Sequence, residues 1–321
     1  MKPLRVAVIT GRIGDLDPVA AGTALARGVA VHAQVAFAPI ATGGADLATA
    51  VAALIGAGTH TQGKGWVVRW PGSVLVGFGQ AAVSAWAPDA STTDVGEWIA
   101  ANVGDEQRVI LDLTGVTAHD GGAGLLAEAR TVLAGRELVG LVPPEELGLA
   151  ATGIGGGLAR RAFAARIDVA ELLAADAELA ARAATLGAGL ATAPGGGAAG
   201  GCGLVVLSSG GTLKSGTQFC HHLAGLAETL SRADLVATGC TELSALDRGG
   251  PVVQAVAAWA DAAERPCVLF TTGAGLARRE LRTLGLEAAH LLPPGPPTEA
   301  GLTATAARIA AGWVPAPETA E

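Results

Sequence analysis

Short apolar runs alternate along this chain with stretches whose apolar positions recur every three to four residues. The runs Arg5–Thr10, Ala33–Ala38, Gly65–Arg69, Val74–Gly77, Val109–Leu113, Leu138–Leu141, Leu204–Leu207, Leu235–Thr238 and Cys267–Thr271 predict strands. The periodic stretches Pro18–Arg27, Ala45–Ile55, Asp94–Ala101, Gly122–Ala134, Val169–Leu186, Thr217–Leu230, Val252–Ala263, Arg278–Leu284 and Gly301–Gly312 predict helices. The best delimited is Val169–Leu186: Asp168 precedes it as an N-cap, Glu171 sits where a capping box places it, and Gly187-Ala188-Gly189 ends it. Strands alternating with helices predict an α/β fold with mainly parallel sheets. Pro293–Pro297 reads as a stiff connector before the last helix, and Pro315–Glu321 as a frayed tail.

Composition narrows this picture. The 321 residues have room for two domains, and with 50% hydrophobic and 16% charged residues the chain is no disordered polymer. With 47 Gly, five Phe, six Trp and no Tyr, the core is built from tightly packed small residues and Val/Leu strands. A net charge of −8 leaves no basic footprint for a nucleic-acid backbone. No apolar stretch reaches membrane-spanning length, and the apolar core of Met1–Thr10 is too short for a signal peptide, so a cytoplasmic protein is expected. Cys202, Cys220, Cys240 and Cys267 lie far apart, without the spacing of a disulfide framework or a zinc site.

Candidate chemistry sits in glycine-rich turns. Thr10-Gly11-Arg12-Ile13-Gly14 follows the first strand but lacks the dinucleotide fingerprint. Gly210–Ser215 places Leu213 where a P-loop needs glycine before Lys214, which excludes that motif. The segment Leu113–Gly124 follows a strand and opens a helix, which puts Asp120 at a strand's carboxyl end, where open α/β sheets hold ligands. A carboxylate there binds a substrate hydroxyl or Mg²⁺, or it caps the helix; spacing leaves both open. Pro194–Gly203 is an uncharged glycine-rich turn, either an anion cradle of backbone N–H groups or a place of close packing. His221 and His222 are adjacent on a helix and point about 100° apart, so no metal site is expected there.

Five blocks in order resemble the bacterial, ATP-dependent glycerate kinase family. Thr93–Ile99 is similar to its "TTGVGELI", Asp120–Gly124 to "NDGGAG", and Pro194–Gly203 to "PGAGAAGGLG". Ala233–Gly239 resembles "ADLVITG", and Arg278–Leu281 with Leu284–Ala289 resembles "RRE…LGI.EAY". The resemblance implies a two-domain glycerate-kinase-like α/β architecture, with mainly parallel sheets and an interdomain cleft. It divides the chain into a discontinuous Rossmann/flavodoxin-like domain, 1–60 plus 231–321, and an inserted α/β domain, 61–230. The implied reaction is phosphoryl transfer from ATP, with Mg²⁺, to glycerate or a related small hydroxy acid. It implies Asp120 as the catalytic carboxylate. Gly14, Gly43, Gly44, Gly121, Gly122, Gly196, Gly197, Gly200, Gly201 and Gly239 become the substrate- or phosphate-binding turns, with no protein metal ligand assigned.

The departures from the family fall on polar positions. Matched through Ala24–Gly28, the family's first loop puts Thr10 at its Asp and Ile13 at its Lys. Its "DGGEGT" falls on Thr42–Asp46, so Thr42 and Ala45 replace two acids. Its "TGEGRLD…GK" puts Cys240, Glu242, Ser244 and Pro251 at Glu, Arg, Asp and Lys. Val116 and His119 stand at its Ser and Asn. Two readings follow: a kinase with a rewired site around Asp120, or a non-catalytic relative that binds a small metabolite, a nucleotide or a protein.

Overall fold

The computed structural model describes residues 3–80 and 90–313; the tail Pro315–Glu321 lies outside them. Its strands are β1 Arg5–Thr10, β2 Gln34–Pro39, β3 Thr59–Gln62, β4 Gly65–Trp70, β5 Ser73–Phe78, β6 Arg108–Asp112, β7 Glu137–Leu141, β8 Thr212–Lys214, β9 Leu235–Leu243, β10 Cys267–Ala274 and β11 Ala288–Leu291. Its helices are α1 Pro18–Val29, α2 Gly44–Ile55, α3 Thr93–Asn102, α4 Ala123–Leu133, α5 Gly157–Ala164, α6 Val169–Leu186, α7 Cys202–Ser208, α8 Gly216–Leu223, α9 Leu226–Arg232, α10 Gly250–Ala262, α11 Arg278–Thr283 and α12 Glu299–Ala310. The chain forms two compact units, one of Met1–Ala41, Thr49–Leu54 and Cys220–Glu321, the other of Thr42–Ala48 and Ile55–Phe219.

The first unit holds an all-parallel sheet of order β11-β10-β9-β1-β2. Counted within the unit this is the order 2-1-3-4-5 of flavodoxin-like sheets, with its switch point between β1 and β9. Val6 and Val8 face a core closed by Ala21, Ala24 and Leu25 of α1 and Leu302, Ala306 and Ala310 of α12. The alternate residues Ala7, Ile9, Val236 and Leu269 are also buried, so the central strands are apolar on both faces, as a parallel sheet requires. Pro18 opens α1, and the Asp17 carboxylate accepts from Val19 N at 2.8 Å and Ala20 N at 2.9 Å.

The second unit holds a six-stranded sheet of order β3-β4-β5-β6-β7-β8. β3, β4 and β5 form an antiparallel meander, and β5 to β8 run parallel. Val74, Val76, Val109 and Leu111 pack against Ile99 of α3, Leu125 of α4 and Val205 of α7. A second cluster joins Leu158 and Ala162 of α5 to Leu172, Leu179 and Ala183 of α6. Asp168 caps α6 by accepting from Ala170 N at 2.8 Å.

Three expectations are corrected. Leu204–Leu207 lies in helix α7, not in a strand; Leu204, Val205 and Val206 are fully buried, and a short run buried all round has no periodicity to separate the two states. The helix expected over Thr217–Leu230 breaks into α8 and α9 at Gly225, whose φ is 59°. Asp120 is not at a strand's end: β6 ends at Asp112, and Asp120 lies eight residues on, in the loop before α4.

Candidate functional site

Asp120 lies where two helices of the second unit begin. Its Oδ1 accepts from Gly122 N at 2.9 Å, and its Oδ2 accepts from Thr92 N at 2.9 Å, Gly124 N at 3.0 Å and Ser91 Oγ at 3.4 Å. The Thr92 hydroxyl lies 3.0 Å from both oxygens and itself accepts from Leu125 N at 2.8 Å. One carboxylate therefore takes the N–H of Thr92, just before α3, and those of Gly122 and Gly124 at the entry to α4, where the helix dipoles favour negative charge. Both oxygens are occupied by the protein's own donors, and the capping reading describes this geometry.

The glycine-rich turn packs beside it. Gly121 N donates to Gly200 O at 3.0 Å, and a Cβ on Gly200 would stand 1.7 Å from Ala118 O, so only glycine fits that approach. Gly196 N donates to Ala193 O and Gly197 N to Leu149 O, both at 3.0 Å. Ala199 N donates to the Glu146 carboxylate at 2.7 Å, and Arg161 stands 3.5 Å from the other Glu146 oxygen. The anion in this turn is thus Glu146. Arg161 also donates to Thr117 O at 3.1 Å, which ties α5 to the loop before Asp120.

The Gly43–Gly44 turn meets the end of β6. Gly44 N donates to Asp112 Oδ2 at 2.7 Å, and Thr114 donates to Asp112 Oδ1 through its hydroxyl at 2.6 Å and its amide at 3.1 Å. Asp112 is 1% exposed, and burial pushes its carboxyl up to about 6 against the pull of these donors. Sequence reasoning missed Asp112, because it lies within the run Val109–Leu113 expected as a strand, next to the more conspicuous Asp120 segment. Its only signal was position: it is the acid at a strand's carboxyl end.

A pocket of about 370 Å³ opens next to Asp120, lined by His119, Leu158, Glu171, Glu178 and Arg182. Arg182 donates to the Asp120 carbonyl and stands 3.4 Å from Glu178. Burial, then the Arg161 charge, lowers the His119 pKa, and the Asp120 charge opposes them, so the surroundings favour the neutral imidazole.

In the first unit the switch point of the sheet is filled. Ile13 is fully buried there, and a Cβ on Gly239 would lie 2.3 Å from its Cδ1. Thr10, also buried, donates to Gly239 O at 3.3 Å, and Gly14 N donates to Thr241 Oγ1 at 2.7 Å. Cys240 is 7% exposed and its thiol is pushed up to about 11 by burial.

Residues 163–311 match the model of the glycerate kinase family. That stretch, a little under half of the chain, is similar to the glycerate kinase family. It is 32% identical over 213 residues to the uncharacterized protein Mb2228c of Mycobacterium bovis and equally to the uncharacterized protein MT2261 of Mycobacterium tuberculosis. Those matches cover 62% of this chain and 55% of each relative, so the chain spans about half the length of the curated relatives it matches. The fold is similar to the crystal structure of the "putative glycerate kinase 2" of Salmonella typhimurium LT2, with a TM-score of 0.75 at 19% identity over 97% of this chain and 98% of that one.

The residues of this chain fit a Mg²⁺–ATP site poorly. Among the described residues no group of three or more His, Cys, Asp or Glu side chains could hold a metal ion. Both Asp120 oxygens are already bonded within the protein, and Ile13 lies in the core where the family resemblance places a lysine. Among the described residues no helix is long and apolar enough to cross a membrane.

Proposed function

We propose that this chain is a non-catalytic member of the glycerate kinase family, which keeps the fold to bind a small hydroxy acid in the cytoplasm rather than to phosphorylate it. The observation that carries this reading is the Asp120 carboxylate, whose oxygens accept from Thr92, Gly122 and Gly124 in the protein's own helix starts. Phosphoryl transfer is positioning plus electrostatics, and it needs free carboxylates for Mg²⁺ and cations at the transferred phosphate. Glu146 in the glycine-rich turn supports the same reading, since a phosphate entering there meets a resident negative charge. The pocket beside His119 is the proposed binding place for the hydroxy acid.

The test is a coupled ADP-release assay with ATP, Mg²⁺ and glycerate, beside a thermal-shift series with glycerate alone. The expected result is no turnover above background, with glycerate raising the melting temperature. Turnover of ~1–100 s⁻¹, the ordinary range for kinases, overturns the proposal. A flat thermal-shift series removes the hydroxy acid as the ligand.

A further inference from the structure

Asp112 is used by neither the Asp120 network nor the pocket beside His119, yet it is a fully buried carboxylate that joins two distant segments of one unit. Gly44 N reaches its Oδ2 at 2.7 Å, and the Thr114 hydroxyl and amide reach its Oδ1 at 2.6 and 3.1 Å. A Cβ on Gly43 would stand 1.8 Å from Thr114 Oγ1, so the turn and the β6 end are pressed together at this point. Gly77 of β5 and Leu141 of β7 flank Asp112 in the sheet, and neither carries charge. From β4 the Trp66 indole N–H faces the carboxylate, but without hydrogen-bond geometry. The remaining ionisable groups on the adjoining elements are Arg69 on β4, Arg108 on β6, Glu137 on β7 and Asp46 on α2; the main influences on Asp112 are its burial and the donors just named.

We propose that Asp112 is a pH-responsive latch on the Gly43–Gly44 turn: its ionised carboxylate holds the Gly44 amide at the start of α2, and its protonation releases that amide. All three partners donate, so the ionised carboxylate suits them. A proton on Oδ2 turns that oxygen from a charged acceptor into a neutral hydroxyl, which loses the charge assistance of its bond to Gly44 N and weakens the hold on the amide. The opposing influence is burial, which favours the neutral acid and lifts the carboxyl to about 6, so the two states exchange near neutral pH.

The experiment uses the whole chain. NMR follows the Asp112 carboxyl carbon and the hydrogen-exchange protection of the Gly44 amide from pH 5 to 7.5, with the Leu111 and Val139 amides as references. The expected result is a carboxyl midpoint near 6 and a tenfold or greater loss of Gly44 protection below it, with the references unchanged. Thr114→Val removes a donor to the charged form and is expected to move both midpoints upward together. Gly44 protection that is independent of pH, or that follows a midpoint other than that of Asp112, overturns the latch. The wild-type titration decides the matter even where a variant does not fold.

Discussion

Ala199 is buried with φ 51° and ψ 48°, in the left-handed region that costs an L-residue with a Cβ about 1–2 kcal/mol. Its amide is aimed from that conformation at Glu146. Ala199→Gly keeps the amide and removes the strain, partly offset by the added freedom of glycine in the unfolded chain. We expect a gain of up to about 1 kcal/mol in urea unfolding; a loss would show that Ala199 is not strained. Asp112 makes a second residue-scale prediction. Its folded pKa, about 6, lies above the ordinary carboxylate value, so the native state binds the extra proton. The stabilisation is complete below the unfolded pKa and is lost as pH rises through 6, by about 3 kcal/mol. Urea unfolding at pH 5 and pH 7.5 samples about 1.4 kcal/mol of this loss, the share that falls within one pH unit below 6, and Asp112→Asn removes that share of the slope. Asp120 was legible as a functional candidate because it stands in a family-like block. What its oxygens touch was not, since the Thr92 amide that occupies Oδ2 lies 28 residues away.

Small residues set how closely elements approach. A Cβ on Gly28 of α1 would lie 2.3 Å from Thr303 O of α12, so the two helices meet backbone to backbone. Gly28→Ala is expected to cost about 1–3 kcal/mol through overpacking. Gly58→Ala, where a Cβ meets nothing within 4 Å, is expected to stay within about 0.5 kcal/mol. Equal effects in thermal unfolding would contradict the close approach. The longer elements were legible because each carries its own period: the bounds of α6 match those expected, and β1 is the Arg5–Thr10 run. The rest was not, for physical reasons. α7 is apolar on every side, so its run matches strand and helix templates equally. α8 and α9 share one continuous helical period, and only the left-handed Gly225 separates them. β3, fully exposed, has no apolar face to betray it.

At the scale of the whole chain, N–H groups at its turns and helix starts, which could cradle a phosphate, are given to its own carboxylates. Asp17 serves α1, Asp112 serves the start of α2, Asp120 serves α3 and α4, and Glu146 serves the glycine-rich turn. These carboxylates are turned toward the chain's own backbone and hold its fold. The most direct measurement of this claim is the unfolding free energy of Asp120→Asn. An amide at that position sets its own NH₂ against the donors that face Oδ2 or Oδ1, so the loss should be about 2–4 kcal/mol. A carboxylate kept free for a ligand behaves in the opposite way, since its removal leaves stability unchanged or raises it. A variant that unfolds at the same urea concentration as the parent chain, or a higher one, would contradict the account.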